Sequence, residues 1–332
     1  MASVAFPHLA KRAVLSDGTT YGYATVPSAP GKPSFLLLHG YPSSSFDWRL
    51  QMKPLAKAGY GIINPDLLGY GDSDKPTDLA AYRMKIMSGH MIEIMDRESV
   101  KRAIVIAHDW GVCLASKLAS YYPARLSGFA TIAVSYMPPG MMFDVDAMIE
   151  HTRSIHGRET IGYWKWYITD DAVTANDSNP ASAFNLLYAH DPSLWLDHFA
   201  PLGKAEAFVS TGQITPLPTW YSLADYTTRD RIFAKAGYAG PLSWYRAAVR
   251  GVNIADEELV RDEQKLLRMP CLFIAAEKDH VCVAESQIAA CKQLCPNARI
   301  ERLDCGHWVQ LEEPEKFHGL LLDFAEQITS GD

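Results

Sequence analysis

The feature that most constrains this chain is an apolar run that ends in an aspartate flanked by small residues. Residues 103–108 (AIVIAH) have the length and the branched side chains of a buried strand. Asp109 follows, and residues 110–122 then have a helical pattern. Ala107 and Gly111 are small enough for a sharp turn between the strand and the helix to close. The turn would present Asp109 at the end of a sheet, although an aspartate there also fits the simpler role of a helix cap.

Short apolar runs recur along the first 135 residues and again near the C-terminus. They lie at residues 34–39, 61–66, 129–135, 271–276 and 299–303. Helical patterns occupy residues 47–58, 78–95, 110–122, 284–295 and 314–328. This alternation predicts βαβ units, and therefore an α/β protein with a mostly parallel central sheet flanked by helices.

The alternation of strand-like and helix-like segments stops between residues 138 and 245. No convincing strand is found there, and the segment holds five of the eight tryptophans of the chain. We interpret it as an inserted helical cap domain. The prediction is therefore a core made of residues 1–137 and 246–332, interrupted by a cap made of residues 138–245.

The strand–turn–helix unit around Asp109 resembles the nucleophile elbow of the α/β-hydrolase fold, in which the middle residue is most often serine. An aspartate changes the reaction class, because a carboxylate attacks carbonyl groups poorly but can displace a leaving group at saturated carbon. The product is an ester whose carbonyl carbon belongs to the enzyme, and water can hydrolyse it. Epoxides and alkyl halides fit this chemistry.

In this fold the acid and the histidine follow the nucleophile in the sequence. His307 comes directly after the last predicted strand and can act as a general base near neutral pH. Asp279 follows the strand at residues 271–276 and is the best candidate to orient His307, with Glu277 and Asp304 as competitors.

An oxyanion hole needs two backbone N–H donors. The residue after the nucleophile, Trp110, supplies one, and we assign the other to Tyr41 in the turn His39-Gly40-Tyr41-Pro42. For the substrate pocket we expect His39, Pro42, Trp164, Trp244 and Trp308.

Taken together, the chain resembles soluble epoxide hydrolases of the α/β-hydrolase fold from about residue 20 to residue 328. The resemblance rests on HGYP (39–42), PDLLGYGDSDKP (65–76), AHDWG (107–111), Asp279 and GHWVQLEEPEKF (306–317). It implies hydrolysis of a small apolar epoxide by water, without a metal or an organic cofactor.

The resemblance also implies two cap tyrosines that hydrogen-bond the epoxide oxygen. Tyr245, in the string WYR, matches one of them, and Tyr163 matches the other. Tyr167 competes with Tyr163, because it lies four residues further along the same helix face.

Two other functions share parts of this pattern. Haloalkane dehalogenases have the same Asp-Trp elbow, but they need N–H donors for the halide, and Tyr41 stands where many of them have asparagine. Trp164 or Trp244 would then have to supply the second donor. Some relatives with this fold are non-catalytic ligand receptors, which fits poorly with a full set of candidate catalytic residues.

Composition limits partners and location. The chain has 31 Lys and Arg against 38 Asp and Glu, so its net charge of −7 argues against nucleic-acid binding. No stretch approaches the roughly 18–20 apolar residues of a membrane span. The six cysteines form no C-x-x-C pair, which argues against a zinc or redox motif, and the N-terminus lacks the pattern of a secretory signal. We therefore predict reduced thiols in a cytoplasmic protein.

Overall fold

A computed structural model describes residues 1–330 and is built around one sheet of eight strands. The strands are β1 (Ala10–Val14), β2 (Thr20–Val26), β3 (Ser34–Leu38), β4 (Gly61–Pro65), β5 (Ala103–His108), β6 (Leu126–Ile132), β7 (Cys271–Ala276) and β8 (Ala298–Leu303). Their order across the sheet is β1-β2-β4-β3-β5-β6-β7-β8.

The six neighbouring strands β4, β3, β5, β6, β7 and β8 pair in parallel. Strand β1 pairs with β2, and β2 with β4, in antiparallel fashion. This confirms the predicted mostly parallel sheet. Sequence analysis missed β1 and β2. Strand β1 (AKRAV) lies at the sheet edge with both charged side chains exposed, so it lacks the apolar run that marks a buried strand.

Helices cover both faces of the sheet. The helices before β6 are α1 (Ala2–Ala5), α2 (Arg49–Lys57), α3 (Met84–Arg97) and α4 (Trp110–Tyr121). The helices after β7 are α14 (Ala284–Leu294), α15 (Val309–Glu312) and α16 (Pro314–Ser330). Alternate strand residues face opposite sides. Val105 and Ala107 pack in the apolar cluster with α3, α4 and α14, whereas Ile104 and Ile106 pack in the cluster with α2 and α16.

The chain between β6 and β7 is helical. It forms α5 (Val145–His156), α6 (Trp164–Tyr167), α7 (Asp170–Ser178), α8 (Pro180–Leu187), α9 (Leu194–His198), α10 (Lys204–Ser210), α11 (Leu223–Ala236), α12 (Ala239–Val249) and α13 (Ile254–Glu257). The predicted cap boundary at residue 245 falls inside α12. Across residues 1–330 no helix combines the length and the apolar character needed to cross a membrane.

Two predicted elements differ in their bounds. Strand β6 ends at Ile132 rather than at residue 135, because Ala133 adopts a positive φ of 62° and turns the chain out of the sheet. The predicted helix at residues 78–95 is split at Arg83, whose backbone is extended. Helix α3 begins only afterwards, where the Met84 N–H donates to the side chain of Asn253 at 2.8 Å.

Candidate active site

Asp109 occupies the sharp turn between β5 and α4. Its backbone has φ 51° and ψ −125°, a conformation that side-chain-bearing residues rarely adopt and that is typical of strained functional positions. The turn closes only because its neighbours are small. A Cβ atom on Gly111 would overlap the backbone at Leu38 and His39, and one on Gly40 would overlap the Asp109 carboxylate.

Two backbone N–H groups hold the Asp109 carboxylate. The N–H of Tyr41 donates to Oδ1 at 2.7 Å, and the N–H of Trp110 also hydrogen-bonds this side chain. These are the two donors that the sequence suggested for an oxyanion hole. The Tyr41 N–H holds Oδ1, and Oδ2 is the oxygen that lies 3.7 Å from His307 Nε2.

His307 lies between two carboxylates. Its Nδ1 is 2.6 Å from Asp279 Oδ2, and its Nε2 is 3.7 Å from Asp109 Oδ2. The other oxygen of Asp279 accepts the N–H groups of Val281 and Cys282, each at 2.9 Å. The three side chains come from the carboxyl ends of β5, β7 and β8, where parallel strands bring functional residues together.

The competing acids lie elsewhere. Glu277 is within 3.5 Å of Arg302, and Asp304 is 2.9 Å from Lys278, both on exposed surface.

The buried charges affect one another. Burial raises the pKa of Asp109 above its usual value and outweighs the His307 charge and the hydrogen bonds from Tyr41 and Trp110. Burial alone would lower the pKa of His307, but the charge and the hydrogen bond of Asp279, with the charge of Asp109, raise it. Burial alone would raise the pKa of Asp279, but His307 and two backbone N–H groups lower it. Asp279 is therefore an ionised partner for His307.

Asp109 opens onto a cavity of about 740 Å³. Tyr163, Trp164 and Tyr245 stand on its wall, and most of the remaining lining is apolar. Burial raises the pKa of Tyr163 and that of Tyr245 well above 10, so both hydroxyls are protonated donors at neutral pH.

Tyr167 does not line this cavity. Its ring packs 5.1 Å from the ring of Tyr41 and 5.2 Å from that of Tyr245. Tyr163, and not its competitor, therefore shares the cavity wall with Asp109.

Four of the expected pocket residues are absent from the described cavity wall, namely His39, Pro42, Trp244 and Trp308. Their polar atoms are used in holding the structure together. Trp244 Nε1 donates to the Leu68 carbonyl and Trp308 Nε1 to the Leu187 carbonyl, each at 2.8 Å.

His39 and Pro42 support the turn that carries Tyr41. His39 Nε2 accepts the Leu67 N–H at 3.0 Å, and burial lowers the pKa of His39 to about 4, so the ring is neutral. The Pro42 carbonyl accepts the hydroxyl of Tyr188 at 3.2 Å.

Sequence reasoning missed two residues that hold the His307 loop. Glu312 accepts the N–H of Gly306 at 2.7 Å and that of Trp308 at 3.0 Å, so its carboxylate clamps the loop from both sides. His108 donates through Nε2 to the His307 carbonyl at 2.9 Å. The string GHWVQLEE contains Glu312, but nothing in a single sequence shows that its side chain folds back.

The fold and this site define an α/β hydrolase. The sequence profile described as alpha/beta hydrolase fold matches residues 33–154 and 178–314, more than half of the chain. The chain belongs to this family, and the predicted fold class is confirmed.

The relatives found in the comparisons are named epoxide hydrolases, as the sequence motifs predicted. Epoxide hydrolase B of Mycobacterium tuberculosis is 29% identical over 94% of this chain and 97% of its own length. Bifunctional epoxide hydrolase 2 of Mus musculus is 28% identical over 93% of this chain, which spans about half of that protein (56%). The crystal structure of epoxide hydrolase A from Mycobacterium thermoresistibile superposes with a TM-score of 0.80 at 26% identity, covering 95% of this chain and 98% of the other.

Proposed function

We propose that this protein is an epoxide hydrolase that converts an epoxide and water into a vicinal diol through an ester on Asp109. The observation that carries the proposal is the placement of Asp109 on one cavity wall with Tyr163 and Tyr245, with His307 3.7 Å away. This set supplies a nucleophile for saturated carbon, two donors for the epoxide oxygen and a base for water. The names of the relatives support the same substrate class.

The first step is alkylation of Asp109. Oδ1 is held by the Tyr41 N–H, so Oδ2 attacks an epoxide carbon. The carbon–oxygen bond of the epoxide breaks and its oxygen takes the electron pair. Tyr163 and Tyr245 hydrogen-bond this oxygen, and one of them gives it a proton and is left as a tyrosinate. The product is a hydroxyalkyl ester in which Oδ1 is the carbonyl oxygen.

The second step is hydrolysis of that ester. His307, oriented by Asp279, takes a proton from water, and the resulting hydroxide attacks Cγ of Asp109. Negative charge then develops on Oδ1, to which the Tyr41 N–H already donates, and the Trp110 N–H, which also hydrogen-bonds this carboxylate, is the second donor. The C–O bond to the substrate breaks, the diol leaves, and its oxygen takes the proton from His307. Asp109 is left as the carboxylic acid, and its proton returns to the tyrosinate of the first step, which restores the free enzyme.

Ester formation also prepares the base for the second step. The Asp109 charge helps to raise the pKa of His307 in the free enzyme. Alkylation removes this charge, so the pKa of His307 falls when a neutral imidazole is needed. The pKa of His307 is thus higher before the first step than before the second.

We also propose that residues 138–245 act as a cap on a core formed by residues 1–137 and 246–332. Side chains of one part hydrogen-bond the backbone of the other: Tyr188 donates to Pro42, Trp244 to Leu68, and Trp308 to Leu187. The six cysteines are free thiols in the structure, which supports the proposed cytoplasmic location.

Haloalkane dehalogenation is the second candidate function. Trp244 Nε1 is engaged with the Leu68 carbonyl, but Trp164 Nε1 has no partner among residues 1–330 and belongs to a residue on the cavity wall. A halide leaving group would use this indole N–H with that of Trp110.

A paired assay tests the two functions. The purified protein is incubated with a panel of aryl and alkyl epoxides, and diol formation is measured. It is also incubated with a panel of haloalkanes, and halide release is measured. We expect diol without halide, no turnover by Asp109→Ala, and an ester adduct on His307→Gln that is visible by intact-mass spectrometry. Halide without diol would favour the second candidate. Turnover by Asp109→Ala, or no adduct with a good substrate, would contradict the mechanism.

A further inference from the structure

One cysteine lies beside the proposed catalytic base. The Sγ atom of Cys282, a carboxylate oxygen of Asp279 and a ring nitrogen of His307 all lie within 4.8 Å of one another. Asp279 and His307 are buried, and Cys282 is partly buried on the wall of the 740 Å³ cavity. The mechanism uses the first two residues but gives the thiol no role.

The three donors form a set of known chemistry. One thiolate, one imidazole and one carboxylate are the ligand types that bind Zn²⁺ and, with a preference for sulfur, its softer relative Cd²⁺. A site with three protein ligands leaves a fourth position for water or for another oxygen donor. The cavity that admits the substrate would also admit an ion to this position.

The local charge also favours a dication. Two carboxylates, those of Asp109 and Asp279, flank a single imidazole at 3.7 Å and 2.6 Å. When His307 is neutral, the group therefore has an unbalanced negative charge in a buried setting. A bound divalent cation would balance it. The second oxygen of Asp279 is already held by two backbone N–H groups, so this ligand is fixed in place.

We propose that Asp279, Cys282 and His307 form a binding site for Zn²⁺ or Cd²⁺, and that occupation of this site inhibits epoxide hydrolysis. The proposal rests on the proposed function only for its second half. On binding, the Cys282 thiol releases its proton to solvent, as does His307 when it is protonated, and the thiolate and the imidazole bond the metal. The ion then binds one of the two ring nitrogens of His307. This is either Nε2, whose lone pair would accept a proton from water, or Nδ1, which bonds Asp279. Either arrangement removes the base of the second step.

A direct binding experiment tests the site without any substrate. Cd²⁺ is titrated into the metal-free full-length protein. Binding is measured by the ultraviolet charge-transfer band of a Cd²⁺–thiolate bond and by calorimetry, and the release of protons is measured in the same titration. We expect one ion per chain. Cys282→Ser should lose the band and bind about 100-fold more weakly, because a direct ligand is worth at least as much as the outer-shell contacts whose loss costs 10- to 100-fold.

Cys291→Ser is the matched control. Cys291 is a buried thiol in contact with Cys271 and Cys295, away from the described cavity wall. We expect this variant to keep both the band and the affinity. The reverse pattern, or an unchanged band in Cys282→Ser, would overturn the proposal. Circular dichroism checks folding, and Cys282→Ala replaces the serine variant if that variant does not fold.

A second arm measures inhibition. Each variant is assayed for diol formation with and without Zn²⁺, and its rate is divided by its own metal-free rate. We expect Zn²⁺ to inhibit the wild type and Cys291→Ser, and Cys282→Ser to require about 100-fold more metal for the same loss. Binding without inhibition would overturn the second half of the proposal. A protein that binds Cd²⁺ through Cys282 but hydrolyses no epoxide would contradict the proposed function and leave the metal site standing.

Discussion

Replacing Tyr245 by phenylalanine removes one hydroxyl from the cavity wall and leaves the ring in place. The ring is 2% exposed and packs edge-on against Trp110, with centroids 5.0 Å apart, so the shape of the site should persist. The lost interaction is a hydrogen bond to an oxygen that gains negative charge in a buried cavity. Such charge-assisted bonds are worth about 1.5–3 kcal/mol.

This energy sets the expected rate change. A tenfold change in rate corresponds to about 1.4 kcal/mol, so Tyr245→Phe should slow alkylation by about 10- to 150-fold. Tyr163 still donates one bond in this variant, which keeps the loss from becoming larger. Ester hydrolysis should be unchanged, because its oxyanion lies at the N–H groups of Tyr41 and Trp110.

The two steps are measured separately. In a His307→Gln background the ester accumulates, so rapid quenching with mass spectrometry gives the alkylation rate directly. With His307 present, single-turnover decay of the ester gives the hydrolysis rate. Tyr167→Phe is the matched control, because Tyr167 is fully buried 5.2 Å from the Tyr245 ring but lies off the cavity wall. Unchanged alkylation in Tyr245→Phe, or an equal loss in Tyr167→Phe, would refute the role assigned to Tyr245.

Two further predictions concern the nucleophile and its turn. Asp109→Asn removes a negative charge 3.7 Å from His307 Nε2, so the pKa of His307 measured by NMR should fall relative to the wild type; an equal or higher pKa would contradict the coupling of the two steps. Gly40→Ala places a Cβ against the Asp109 carboxylate, and a displacement of about 1 Å should lower activity about 100-fold while the fold persists. Gly319→Ala, in open space on α16, is the control and should keep full activity; equal activity of the two variants would show that the turn tolerates a side chain.

The residues at the strand ends could be predicted from the sequence because each follows a short apolar run. Asp109, Asp279 and His307 come after β5, β7 and β8. A parallel sheet brings the carboxyl ends of its strands to one edge, and this does not depend on how the cap is packed. The alternation of strands and helices likewise predicted the parallel part of the sheet. Strand β1 escaped detection because it has little apolar surface to bury, and β2 because Gly22 and two threonines interrupt its apolar residues although it is almost wholly buried.

The cavity wall could not be predicted in the same way. Its lining includes Met148 on α5, Tyr245 on α12 and Gln287 on α14, which meet only through the packing of separate helices. Aromatic residues near the motifs were expected to face the substrate. Trp244 and Trp308 instead turn their indole N–H groups toward backbone carbonyls, because a buried donor must find a partner.

An aspartate at this elbow changes which molecule supplies the carbonyl group. With serine in this position the substrate supplies the carbonyl group, and the N–H donors bind the oxygen of the substrate. In the mechanism proposed above, the Asp109 carboxylate itself becomes the carbonyl, and its Oδ1 already lies 2.7 Å from the Tyr41 nitrogen. The water of the second step therefore attacks a carbon whose position is fixed by β5 and α4, and this step should depend much less on the substrate than the first. Selection among epoxides then resides in alkylation, where the cavity wall and the two tyrosines decide which epoxide carbon reaches Oδ2.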